Sequence, residues 1–93
     1  MIKIRKFDIA ELLETEVDIQ DFLNEAAQSG SVAEFISALG VAARAKGMTE
    51  VAKQAGVTRA SLYKSLSEGA NPEFDTVFRV CHALGVKLVP QRI

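Results

Sequence analysis

Few residues in this chain can do bond-making chemistry, and their spacing argues against it. The one cysteine and the one histidine are neighbours, Cys81 and His82. Adjacent residues on a helix point about 100° apart, which makes a poor metal pair. No other His or Cys exists to complete a metal site or a Cys/His nucleophilic couple. Helical spacing puts Cys81 in the core and His82 on the surface. The carboxylates gather at the front, at Asp8, Glu11, Glu14, Glu16, Asp18, Asp21 and Glu25. Nothing around them suggests an apolar pocket or a basic partner that would tune them for acid–base work. An enzyme is not expected, and neither is a metal or other cofactor.

Recognition is the chemistry that remains, and it concentrates in residues 48–66, MTEVAKQAGVTRASLYKSL. Val51, Ala52 and Ala55 fall three and four apart and share one face of a short helix. Gly56 can end that helix in the left-handed conformation, Val57 plugs the corner, and Thr58 can cap a second helix. In the second helix Leu62 and Leu66 point inward, which leaves Arg59, Ala60, Tyr63, Lys64 and Ser67 outward. This is the pattern of a helix-turn-helix, whose second helix lies in the DNA major groove. Arg59 and Ala60 fall in the first turn, the part that reaches base edges. An arginine there can bind guanine bidentately, and an alanine can meet a thymine methyl. Thr58 has a structural role as N-cap and also stands beside the DNA backbone. Tyr63 and Lys64, one turn later, can reach bases or phosphates, although a half-buried packing role suits Tyr63 as well. Thr49 is expected to cap the first helix, where backbone amides favour a phosphate oxygen. Lys46 either contacts phosphate or serves the dipole of its own helix end. The candidate DNA-binding set is therefore Lys46, Thr49, Thr58, Arg59, Ala60, Tyr63, Lys64 and Ser67.

The elements that must hold these residues follow from patterning. Asp8 caps a short helix with Ile9, Leu12 and Leu13 on one face. Thr15 or Asp18 caps a second, to about residue 28, with Ile19, Phe22, Leu23, Ala26 and Ala27 on the 3.6 period. Ser31 and Glu34 form a capping box for a third, to about residue 46, with Val32, Phe35, Ile36, Leu39 and Ala43 inward. Gly40 and Ala42 keep that helix slim. After the motif, residues 67–72 are dense in turn formers. A last helix, 74–84, places Phe74, Val77, Phe78, Cys81 and Leu84 at helical spacing, and Gly85 stops it. Residues 2–6 and 86–89 are short and β-prone, and are expected to pair within one chain or between two. The fold class is all-α, with five to six short helices in one domain spanning 1–93.

The chain is 93 residues long with a net charge of −1, which is unusual beside the basic footprint of most DNA binders. The charge is not evenly spread. Residues 1–30 carry three bases against seven acids, a balance of −4. Residues 31–93 carry eight bases against five acids, a balance of +3. The two halves thus offer an acidic front (1–30) and a mildly basic helix-turn-helix core (31–90). No apolar run approaches the roughly 20 residues of a membrane span. The start, MIKIRKFD, lacks the apolar stretch of a secretory signal. A lone cysteine fits a reducing cytoplasm.

With this pattern laid out, the chain resembles the probable addiction-module antidote family, antitoxins with a lambda-repressor-like (Cro/C1-type) helix-turn-helix. The resemblance runs through FDIAELLETEVDIQDFLNEA, ALGVAARAKGM and AGVTRASLYKSLSEGANPEFDTVFRVCHALGVKL. The family's S-L-Y-K-S-L-S-E-x-G-N-P region stands here as SLYKSLSEGANP, with Gly69 and Ala70 between the acid and Asn71. The resemblance implies an autorepressor that binds the operator of its own operon, and because one recognition helix covers only a few base pairs, a homodimer on two half-sites about 34 Å apart is expected. It also implies neutralisation of a small basic toxin, in many such modules a RelE-like ribonuclease. The acidic residues 8–25 would suit such a basic surface. Two other readings fit the same residues: a stand-alone Cro/C1-type regulator, and a protein-interaction module that no longer binds DNA.

Overall fold

The computed structural model describes residues 8–93. Its described residues form a single 3₁₀ turn, Ile9–Leu12, and five α-helices. These are α1 (Glu16–Gln28), α2 (Val32–Lys46), α3 (Met48–Ala55), α4 (Arg59–Ser65) and α5 (Phe74–Ala83). α2 is the central element, in contact with the 3₁₀ turn, α1, α3 and α5. α3 in turn packs on α4 and α5.

The first helix stops after one turn for a local reason. Asp8 caps it as expected, its carboxylate accepting from the Ala10 amide at 3.1 Å. The amides of Glu14 and Thr15, which would have to continue it, instead donate to the Asp18 carboxylate, both at 3.1 Å. Thr15 accepts from the Asp18 amide in return, so Thr15 and Asp18 form a full capping box for α1. Ile9 and Leu12 are therefore left exposed, and only Leu13 of the expected trio packs on the core. At α2, Ser31 caps through the Glu34 amide at 3.2 Å.

The core gathers Ile19 and Leu23 of α1, Ile36, Leu39, Ala42 and Ala43 of α2, and Val51, Leu62, Val80 and Cys81 from the remaining helices. The small residues of α2 permit close approach, and Gly40 shows how close. A Cβ there would lie 3.2 Å from the backbone carbonyl of Leu66, at the end of α4. Because α1 contributes Ile19 and Leu23 to this core, the acidic front is part of the packed body.

Two helices end by the same device. At α3 the Val57 amide donates to Ala52 and the Gly56 amide to Lys53. At α5 the Val86 amide donates to Cys81 and the Gly85 amide to His82. Both are the paired bonds of a Schellman motif, with glycine in the left-handed region (φ 74° at Gly56) and an apolar valine after it. This corrects the expectation of a terminal strand. Val86 closes a helix, residues 86–89 form no strand, and Val86 and Leu88 pack on the core. The other expected strand, residues 2–6, lies outside the described residues.

Three apolar positions expected in the core face solvent instead. Val32 is 75% exposed, Phe74 71% and Phe78 49%. The two phenylalanines stand one turn apart, with ring centroids 6.1 Å apart. Val80, Cys81, Ala83 and Leu84 are buried and Val77 packs on the core, so the expected stripe holds at Val77, Cys81 and Leu84 and fails only at the two phenylalanines. Phe22 and Phe35 are partly buried against the core, and Ala27 is exposed.

Candidate nucleic-acid interface

α3 and α4 meet at the tight turn formed by Gly56 and Val57. Burial of Leu62 and Leu66 fixes how α4 is rotated. Arg59, Ala60, Tyr63, Lys64 and Ser67 are consequently all exposed. Thr58 caps α4, its hydroxyl accepting from the Ser61 amide at 3.0 Å. That leaves its own hydroxyl proton free to be donated outward.

Arg59 is held from two directions. Its guanidinium donates to the Thr49 hydroxyl of α3 at 3.2 Å. It also lies 5.8 Å from the centre of the Tyr63 ring on the next turn of α4, within cation–π range. The three side chains make a ledge shared by both helices, with the guanidinium at its centre. Thr49 does not act as the cap expected of it. The N-cap of α3 is Gly47, whose φ of 116° turns the chain sharply enough for Met48 to be helical already, and no side chain caps this end. Thr49 therefore serves the ledge, and the α3 amides keep no side-chain cap.

The remaining candidates divide by what they already touch. Lys64 is exposed and makes no side-chain hydrogen bond or ion pair among the described residues. Ser67 donates back to the Lys64 carbonyl at 2.8 Å, which finishes the last turn of α4. Lys46 is committed inward: its ammonium donates to the Ala83 carbonyl at 2.6 Å and to Gln54 at 3.4 Å. It closes the C-terminal end of α5 as well as standing at the end of its own helix.

Two further cations of the basic half are also engaged within the fold. Arg44 pairs with Asp8 at 3.1 Å. Arg79 donates to the Ala55 carbonyl at 3.1 Å and to Asp75 at 2.9 Å, which locks α5 to the end of α3. The Asp75–Arg79 half was legible as an i,i+4 pair. The Arg79–Ala55 contact carries no sequence signal, because it depends on how α5 lies across α3. The outward cations of the two motif helices are Lys53, Arg59 and Lys64. On the opposite sign, Glu14, Glu16, Asp21 and Glu25 are exposed on or next to α1.

Cys81 is buried, and desolvation pushes its thiol up from 9.0 to about 11. Among the described residues no group of His, Cys, Asp or Glu is arranged to hold a metal ion. No helix among them is long and apolar enough to cross a membrane. The arrangement can therefore bind a polyanion through a presented guanidinium, a free ammonium, a hydroxyl and uncapped helix amides.

Comparison with known proteins supports the antidote family. A family model described as "Probable addiction module antidote protein" matches residues 3–91. The chain is also similar to an uncharacterized protein of Haemophilus influenzae. The two are 42% identical over 90 residues, covering 97% of this chain and 93% of that protein. No solved structure matches the chain.

Proposed function

The chain belongs to the probable addiction module antidote protein family, and from that premise we propose that it is a DNA-binding antitoxin. In this reading α3 and α4 form a Cro/C1-type helix-turn-helix that binds the operator of the chain's own operon and represses it. The observation that carries the reading is the ledge of Thr49, Arg59 and Tyr63. A guanidinium steered by one helix and stacked on a side chain of the next is pre-positioned for a guanine edge, which costs it less ordering on binding. Ala60 beside it leaves room for a thymine methyl. Lys64, Thr58 and the α3 amides, near Thr49, supply backbone phosphate contacts, and Ser67 stabilises the turn that presents Lys64. Lys46 is assigned to the fold, since its ammonium is already used.

The second activity is neutralisation of a small basic, RelE-like toxin in the cytoplasm. The exposed acids Glu14, Glu16, Asp21 and Glu25 form the surface offered to it. Such a protein acts by binding alone and needs no catalytic group.

The DNA reading is tested with the Arg59→Ala/Lys64→Ala double variant on operator duplex. Affinity falls through both residues, and the slope of log K against log salt flattens by about 0.9, for the one phosphate that Lys64 no longer neutralises. An unchanged affinity and slope would instead support the interaction module. Reversing Asp21 and Glu25 to Lys is expected to abolish rescue from a co-expressed toxin while sparing DNA binding. Full rescue would mean that the toxin binds elsewhere on the chain.

A further inference from the structure

One apolar surface lies apart from both of those faces. A groove of about 440 Å³ runs between the start of α2, the Asn71–Pro72 loop and the start of α5. Val32, Phe35, Pro72, Phe74, Val77 and Leu88 line it, and none of its lining residues is charged. Phe78 continues the stripe one turn along α5. Three of these residues stand at core spacing in the sequence, yet the monomer leaves them in water: Val32, Phe74 and Phe78.

We propose that this surface is the homodimer interface, occupied by the same surface of a second copy across a two-fold axis. The proposal rests on the DNA-binding reading for its purpose and on three observations for its partner. The first is charge. A basic toxin would be met by acids, and these lie on α1, whereas the groove lining carries none. An uncharged patch can face itself across a two-fold without setting like charges against each other.

The second is area. Phe74, Phe78 and Val32 together expose on the order of 350 Å², taking about 200 Å² for a phenylalanine and somewhat less for valine. That is close to half of the roughly 800 Å² each partner buries in a standard interface, and the groove walls extend it. It also falls in the range, about 300–600 Å², of the largest patch on a typical monomer.

The third is the reach of the recognition helix. α4 has seven residues and spans about 10 Å, enough for only a few base pairs. Two copies on half-sites about 34 Å apart are needed for a specific site. The groove adjoins the loop that leaves α4, because Asn71 and Pro72 line it and also line the hollow that contains Lys64 and Ser67. A pairing at this surface therefore fixes the two recognition helices relative to one another through one short loop.

Sedimentation of the full chain without DNA tests this. The wild-type protein is expected at twice the 10.1 kDa chain mass, and Phe74→Glu to raise the dimer dissociation constant by about 30-fold or more, the scale of one central aromatic contact. Helix content by circular dichroism should stay unchanged, since Phe74 is mostly exposed. Val17→Glu, at another exposed apolar position but on α1, should leave the dimer intact. A monomeric wild type, or a Phe74→Glu variant that remains dimeric, overturns the proposal. So does a Phe74→Glu variant that keeps its dimer and loses only its hold on a co-expressed toxin. A dimer that dissociates in Phe74→Glu, in a protein that binds no DNA, would sustain this interface and refute the DNA reading alone.

Discussion

Lys46→Met separates two roles that the sequence leaves open for this residue, a phosphate contact and a tie within the fold. Its ammonium donates to the Ala83 carbonyl at 2.6 Å, at the C-terminal end of α5, where the helix dipole also favours a cation. Methionine keeps most of the packed aliphatic stem and removes the charge and its donors. A hydrogen bond to a charged group is worth about 1.5–3 kcal/mol, and partial exposure of this one argues for the low end, about 1.5 kcal/mol. For a 93-residue domain, each kcal/mol moves the melting temperature by about 4–8 °C, so a drop of roughly 6–12 °C is expected. Thermal unfolding followed by circular dichroism measures it. The salt slope of DNA binding should stay where it is in the same variant. A melting temperature within about 2 °C of wild type, together with a slope lowered by about 0.9, would show that Lys46 serves phosphate and that the Ala83 contact is incidental.

Other substitutions test the packing behind the interface. Leu39→Ala empties a fully buried position in α2 and should cost about 2–5 kcal/mol in urea unfolding; a cost below about 1 kcal/mol would mean the core closes over the gap. Gly40→Ala gains about 1 kcal/mol of helix propensity, but its new Cβ would stand 3.2 Å from the Leu66 carbonyl. Because that neighbour is backbone at the end of α4, the melting temperature is expected not to rise, and a rise of several degrees would show that α4 yields easily. Cys81 should resist a thiol reagent at about pH 8 until denaturant is added, as a buried, protonated thiol does. Its folded pKa of about 11 lies above the unfolded 9.0, so the unfolded chain releases this proton first as pH rises. The stability that the neutral thiol contributes is thus intact below about pH 9 and is lost toward about pH 11. A pH-independent unfolding free energy across that window would contradict its burial.

Much of the fold is legible because its signals are local. Glycine after a periodic run ends α3 and α5, Thr58 caps α4, and Leu62 and Leu66 orient α4, each within a few residues of what it controls. Two features of the fold were not legible, for separate reasons. The 86–89 segment has β-prone residues, but the Val86 amide is taken by the Schellman closure of α5, which needs only the glycine before it. Phe74 and Phe78 have helical spacing, yet periodicity does not say where the buried arc ends: Cys81 and Leu84 of the same stripe are buried with Val80 and Ala83, and the two phenylalanines are left outside. The candidate site shows the same division. Its residue types and outward positions follow from α4 alone, whereas the Thr49–Arg59 contact spans ten residues and depends on the α3–α4 angle. Only folded geometry distinguishes Lys46 and Arg79, used inside, from Lys64, left outside.

The central claim, that α3 and α4 read DNA, is tested most directly by one binding measurement. The full chain is titrated by fluorescence anisotropy against duplex from immediately upstream of the first reading frame of its operon, and against a scrambled duplex of equal length and composition, at physiological salt. A preference of at least about 10³ for the upstream sequence is predicted, the lower end of specific recognition. Equal affinity for the two duplexes, or no binding to either, would contradict it.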